Sequence, residues 1–340
     1  METLSDLGEF GLIDRLNRVI QREGIKAPRL SLSIGDDAAC FRCRDGFELL
    51  VTCDCLVEGR HYLPAHITPH DLGRRAATIN ISDIGAMGGR PLYALISLGL
   101  QDNMQVADVE AIYRGFLSEL NPFEASIIGG NLTKTAHDTF IDVTLIGEVE
   151  QGKIIRRSTA RKGNAILITG YPGQAAAGLG LLLHAETGED LRDHPLVGVF
   201  NNPSHRAREG RAIALSGCAT AMIDTSDGFL GDLGHICEES GVGAALIKEK
   251  IPISDELLKA SQQLGNDPYD MVFGGSDDYE LIITCAPENA DRIRAILDPL
   301  TQVPVSDVGR ITDASEGIRL ILPNGESRLM ASSGWDHFTK

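Results

Sequence analysis

The run GEVEQGKIIRRSTARKGN (147–164), followed by AILITG (165–170), YPG (171–173) and an Ala/Leu-rich stretch over 174–186, decides the architecture. A polar, charged passage ends there. Four apolar residues and a threonine then read as a strand, the glycines as a turn, and the Ala/Leu stretch as a helix. Such a restart in mid-chain predicts a domain boundary near residue 150, giving domains 1–150 and 151–340. A chain of 340 residues suits two domains, each able to bury its own core.

Toward the N-terminus, Phe10, Ile13, Leu16 and Ile20 recur at helical spacing and predict a helix over 5–22. Strands follow over 38–43 and 47–53, read as a hairpin turning at Asp45-Gly46. A helix over 69–87 lies between Pro69 and Gly88-Gly89. A strand over 92–100, a helix over 106–121 stopped by Asn121-Pro122, and strands over 125–129 and 139–149 complete the first half. In the second half, helices over 203–215, 229–240, 254–264 and 288–298 alternate with strands over 220–224, 243–247, 280–285 and 318–322. The alternation predicts a mixed α/β (α+β) fold in both halves.

The formal net charge of −17 argues against nucleic acid or an anionic membrane as the main partner. The opening METLSDLGEF has neither a basic n-region nor an apolar stretch, so no signal peptide is expected there. No run of about 18 apolar residues is present. Seven dispersed cysteines read as reduced thiols, and the expected compartment is the cytoplasm. Cys40, Cys43, Cys53 and Cys55 have poor spacing for zinc and are read as small buried core residues of the hairpin.

The P-loop, the dinucleotide G-x-G-x-x-G, the protein-kinase HRD and DFG elements, G-x-S-x-G and H-E-x-x-H are all missing. What remains is aspartate beside glycine or hydroxyl residues: Gly35-Asp36-Asp37, Thr52-Cys53-Asp54, Ser82-Asp83, Gly129-Gly130-Asn131, Asp224-Thr225-Ser226-Asp227-Gly228 and Gly274-Gly275-Ser276-Asp277-Asp278. Taken singly, each is ordinary turn or N-cap chemistry. Converging in one place, they would supply the oxygen ligands that Mg²⁺ shares with substrate phosphates. No EF-hand loop argues for calcium.

The order of motifs resembles the thiamine-monophosphate kinase family, of the superfamily that includes aminoimidazole ribonucleotide synthetase, selenophosphate synthetase and a hydrogenase maturation protein. The resemblance runs through GEFGLIDRL (8–16), IGDDAA (34–39), TCDCLVEGRHY (52–62), NISDIGAMGGRP (80–91), IIGGN (127–131), RRSTARKGN (156–164), DTSDGFLGDLGHI (224–236), GGSDDYEL (274–281) and GWDHF (334–338). It implies an N-terminal ATP/Mg²⁺-binding domain that pairs with a second subunit to form a β-barrel, and a C-terminal α/β domain that completes the ATP and substrate cleft. It implies a homodimer, ATP as co-substrate and several Mg²⁺ ions. Asp37, Asp54, Asp83, Asp224 and Asp227 match the metal-binding aspartates, with Asp54, Asp83 and Asp227 central to catalysis. Thr52 and Cys53 precede Asp54 at further metal positions. Gly130 and Asn131 match the glycine-rich nucleotide segment, Asn131 doubling as a metal ligand. Tyr113, Arg157 and Ser226 match ATP contacts, while His61, Ser276 and Trp335 fall where the family holds thiamine phosphate.

Three positions depart from the family pattern. Asn131 stands for a common Asp, Cys53 for a common Thr, and Ser276 for the usual Glu. The resemblance implies direct in-line transfer from ATP to thiamine monophosphate, giving thiamine diphosphate. The alternatives are a superfamily ligase that releases phosphate and a non-catalytic paralogue that binds thiamine phosphates or nucleotide.

Overall fold

The computed structural model describes residues 4–25, 29–32, 40, 41, 43–185 and 190–331. Asp37 and Trp335 lie outside them. The chain divides into one unit of residues 1–84 and 89–151, and a second of residues 85–88 and 152–340.

The first unit runs α1 (Leu4–Glu23), β1 (Leu30–Leu32), β2 (Cys40–Phe41), β3 (Phe47–Val57), α2 (Pro69–Ala86), β4 (Arg90–Leu100), α3 (Val106–Leu120), β5 (Ser126–Lys134) and β6 (Phe140–Glu150). The four long strands form a sheet in the order β3-β6-β4-β5, antiparallel except for the parallel β4/β5 pair. On β6 the side chains alternate: Ile141, Val143 and Leu145 are buried, while Asp142, Thr144 and Ile146 are only half-covered. Ile84 of α2 lies against Gly147 on the buried face.

Local chemistry sets the helix ends. Thr68 accepts from the Asp71 amide at 3.1 Å and donates to the Asp71 carboxylate at 2.7 Å, closing the first turn of α2 around Pro69. Beyond the last turn, Gly88 adopts φ +81°, a left-handed stop. Helices α2 and α3 meet at two glycines. A Cβ on Gly115 would sit 2.0 Å from the His70 carbonyl oxygen, and one on Gly73 would sit 1.9 Å from that of Ile112. Only hydrogen fits at this crossing.

The hairpin expected over 38–53 does not form. β2 pairs with β1, Leu30 opposite Phe41, whereas β3 pairs with β6 over its whole length. Asp45 and Gly46 do turn, but the strand leaving that turn finds a longer apolar partner in 140–150. The cysteine reading is corrected with it. Cys43, Cys53 and Cys55 are exposed, and only Cys218, Cys237 and Cys285 are buried among the described thiols. Odd-numbered residues of β3 face away from α2, so Cys53 and Cys55 share the open face with Leu49 and Val51.

The second unit comprises β7 (Ala165–Thr169), α4 (Gln174–His184), α5 (Pro195–Asn201), α6 (Ala207–Ser216), β8 (Ala219–Asp224), α7 (Phe229–Ser240) and β9 (Val242–Ile247). It continues with α8 (Asp255–Leu264), α9 (Pro268–Phe273), β10 (Leu281–Cys285), α10 (Ala290–Leu297), β11 (Val305–Asp313), β12 (Ile318–Ile321) and β13 (Ser327–Met330). The strand order is β13-β12-β9-β11-β7-β10-β8, antiparallel except for β12/β9. Strand β7 is apolar on both sides because both sides are covered. Ile166 and Ile168 pack with Leu230, Leu233 and Ile236 of α7, while Leu167 packs with Ile213 of α6 and Ile293 of α10. Strand β11 escaped the sequence reading. Its VSDVGRITD lacks an apolar run and carries a bulge between Asp307 and Gly309.

Candidate active site

In the first unit, β3 and α2 bring together three of the expected metal residues. Thr52 and Asp54 point to the helix side of β3, and Asp83 comes from the last full turn of α2. The Thr52 hydroxyl donates to the Asp83 carboxylate. The Asp54 amide donates to Asn80 Oδ1 at 3.1 Å, and Asn80 Nδ2 donates to the Ala76 carbonyl at 3.1 Å. Asn80, buried one helical turn before Asp83, is thus the strut that fixes strand to helix. Sequence reading gave it no role, although its i,i+3 spacing from Asp83 places both on one helix face. The Thr52, Asp54 and Asp83 donors are all hard oxygens, which fits Mg²⁺ better than a softer ion.

Cys53 points the other way. Its Sγ lies 3.4 Å from Asp142 Oδ1 and accepts from Thr144 Oγ1 at 3.6 Å, so only its backbone remains on the Asp54 side. Asn131 is also set apart. It lies on β5, the opposite edge strand, in register with Ser97 of β4, which pairs with Asp142 of β6, opposite Cys55. Three strand spacings, about 14 Å, separate it from β3, and it belongs to the other sheet face. Within one chain Asn131 therefore does not join Asp54 and Asp83. Next to it, Gly130 passes so close to Ile96 that a Cβ would sit 1.8 Å from the Ile96 carbonyl oxygen. Tyr113 turns into the core of α3, 5% exposed and edge-on to Phe116 at 5.9 Å; burial raises its hydroxyl pKa. Little of its surface is left for a nucleotide. His61 accepts from the Val57 amide at Nδ1 (3.0 Å), so the neutral ring carries its proton on Nε2.

In the second unit three glycine-containing turns converge. Asp224 ends β8 buried, and Thr225 is clamped to the neighbouring turn. Its amide donates to the Glu280 carbonyl (2.8 Å), its carbonyl accepts from Tyr279 N–H (2.8 Å), and its hydroxyl accepts from Glu280 N–H (3.0 Å). Gly228 has φ +110°, and a Cβ there would meet the Gly274 carbonyl oxygen at 2.3 Å. The amides of Ser226, Asp227 and Gly228 each donate to Asp232 Oδ2 at 3.1 Å. The third turn, 170–173, opens α4. Asp278 accepts there from Gly173 N–H (2.6 Å) and Ala175 N–H (2.8 Å), and burial pushes its carboxyl up to about 6. Ser276 is buried and accepts from Ala176 N–H at 3.1 Å, so its hydroxyl helps cap α4. Beneath the turns, Arg206 holds Glu280 with two hydrogen bonds of 2.7 and 2.5 Å.

Ligand atoms of Asp227, Asp232 and His235 lie within 4.8 Å of one another, the one such group of His, Cys, Asp and Glu side chains found among the described residues. Burial pushes the Asp232 carboxyl well up and repulsion from Asp224 and Asp227 adds to it, while the Asp227 and Gly228 amides on Oδ2 act the other way and favour the ionised form. Asp232 and His235 were not singled out in the sequence. The signal available was a carboxylate in the first turn of the helix after DTSDG, with His235 one turn on. Arg157 lies away from this group. Its carbonyl accepts from Ser240 at the C-terminal end of α7, whereas the 224–228 turn sits at the N-terminal end.

Two family models match the chain: the AIR synthase related protein N-terminal domain over residues 35–149 and the corresponding C-terminal domain over residues 161–321. The chain belongs to this two-domain family, within its thiamine-monophosphate kinases. The thiamine-monophosphate kinase of Aquifex aeolicus is 32% identical over 336 residues, covering 98% of this chain and 99% of that protein. That of Haemophilus influenzae is 33% identical, covering 98% of each. Among solved structures, the thiamine-monophosphate kinase of Stenotrophomonas maltophilia K279a superposes with a TM-score of 0.81 at 31% identity, over 95% of this chain and 98% of that one. AaThiL complexed with AMPPCP and TMP gives 0.74 at 32% identity, over 99% of each chain.

Proposed function

We propose that this chain transfers the γ-phosphoryl group of ATP to thiamine monophosphate, producing thiamine diphosphate and ADP. The observation that carries this reading is full-length kinship at about one-third identity to thiamine-monophosphate kinases, including one solved with an ATP analogue and TMP. The carboxylate groups of both units supply the chemistry. Residues 1–150 act as the ATP/Mg²⁺ domain through Thr52, Asp54 and Asp83. Residues 151–340 provide Asp224, Asp227 and Ser226 for the nucleotide and its ions. When bound, Mg²⁺ would neutralise the triphosphate and lower the repulsion between two anionic substrates. The acceptor phosphate monoester, with a second pKa near 6, is already ionised at neutral pH and needs no dedicated base. We assign His61 to the binding of that phosphate, the role its family position implies. The side chains of Thr52, Asn80 and Asp232 hold the carboxylates in place. Incubating the chain with ATP, Mg²⁺ and thiamine monophosphate tests the reading. Thiamine diphosphate and ADP should appear in equal amounts without free phosphate. Release of phosphate would favour a ligase, and no ADP at all a binding protein.

We also assign the open face of the first sheet to a homodimer in which two such sheets close a barrel. What supports this is the apolar strip on edge strand β3, where Leu49 is 42% and Val51 66% exposed. Val51→Glu is expected to convert a dimer into a monomer in sedimentation velocity; a variant that stays dimeric would move the interface elsewhere. No described helix is long and apolar enough to cross a membrane.

A further inference from the structure

Three consecutive amides, from Ser226, Asp227 and Gly228, converge on a single oxygen, Asp232 Oδ2, at 3.1 Å each. Such a concave row of N–H groups at a helix N-terminus is the form in which proteins bind phosphate. In this chain the concavity is already filled by a carboxylate from the first turn of α7, 2% exposed. The 226–228 backbone is therefore not available to a nucleotide phosphate. What the turn can offer outward is side chains: the Ser226 hydroxyl and the carboxylates of Asp224 and Asp227. These are the groups assigned above to nucleotide and metal. Their direction depends on a backbone held from two sides, by Asp232 on the amides and by Glu280 and Tyr279 on Thr225. Gly228 at φ +110° lets the chain wrap that tightly.

We propose that Asp232 is a positioning residue: an internal anion that replaces phosphate in the turn and thereby aims Asp227 and Ser226 at the cation-bound nucleotide. The inference rests on the kinase reading. It differs from a simple helix cap in one respect. A cap contributes to the stability of α7, whereas a positioning anion also sets the affinity of the turn for a divalent cation.

The test uses the full chain with Mn²⁺ and AMPPCP, following bound Mn²⁺ by electron paramagnetic resonance and amide exchange at 226–228 by hydrogen–deuterium exchange. Asp232→Asn keeps the shape and one acceptor oxygen but loses the charge. It should fold, exchange faster at 226–228, and bind Mn²⁺–AMPPCP about 10- to 100-fold more weakly, the usual effect of losing a residue that orients metal ligands. Asp232→Ala should show the same changes more strongly, and Asp232→Asn keeps the test alive if the alanine variant does not fold. A folded Asp232→Asn protein that binds Mn²⁺–AMPPCP like the wild type overturns the proposal and leaves Asp232 as a cap. A wild-type chain that holds no Mn²⁺–AMPPCP removes the kinase reading as well, so the two failures are separable.

Discussion

Asp83→Ala is expected to lower turnover about a thousandfold while the protein melts within a few degrees of the wild type. Removing one preorganised charge-stabilising group typically costs 10²–10³ in rate, and Asp83 is one of two carboxylates among the described residues of the first unit's oxygen cluster. The stability cost stays small because Asp83 is only half-buried at the end of α2, where water can replace the carboxylate's bond to Thr52. Thr52 can then turn to water. Steady-state kinetics at saturating ATP and thiamine monophosphate, paired with thermal melts, checks both halves. Turnover within threefold of the wild type would remove Asp83 from the catalytic group.

The largest expected effect on stability is that of Arg206→Met, a loss of about 3–5 kcal/mol. Glu280 and Arg206 have side-chain exposures of only 8% and 12%, and the pair is joined by two hydrogen bonds, with Thr169 donating to the same carboxylate at 2.5 Å. Removing the cation leaves a buried charge without its counter-ion, which is far worse than removing both. The double variant Arg206→Met/Glu280→Met should therefore recover most of the loss in urea unfolding. Because the Glu280 backbone also holds Thr225, the single variant should lose activity before it unfolds globally. A loss below 1 kcal/mol would mean that water reaches the pair.

Much of this fold is legible from periodicity. The ends of α2 follow from Thr68, Pro69 and Gly88, and the uninterrupted apolar run of β7 announces a strand covered on both sides. Pairing is harder, because it is decided far along the chain. Nothing local to 40–53 tells Phe47–Val57 to choose 140–150 over its neighbour, and with that choice goes the face on which Cys53 and Cys55 emerge. The candidate site divides in the same way. The motifs quoted for resemblance contain Asp54, Asp83, Asp224 and Asp227, and each lies in a cluster. The groups that hold them, Asn80 and Asp232, carry no signal until helix faces are known. Within one chain Tyr113 packs in the core, Ser276 caps a helix, and Asn131 stands across the sheet from Asp54 and Asp83, placements that no local pattern announces.

All of this leans on acidic side chains distant in sequence holding divalent cations against a triphosphate. The most direct measurement is anomalous diffraction at the manganese edge from crystals of the full chain grown with Mn²⁺, AMPPCP and thiamine monophosphate. Peaks are expected beside the carboxylates of Asp54 and Asp83 and of Asp224 and Asp227, each shared with a phosphate oxygen of the nucleotide. A bound nucleotide whose manganese peaks touch none of these four residues would contradict the account.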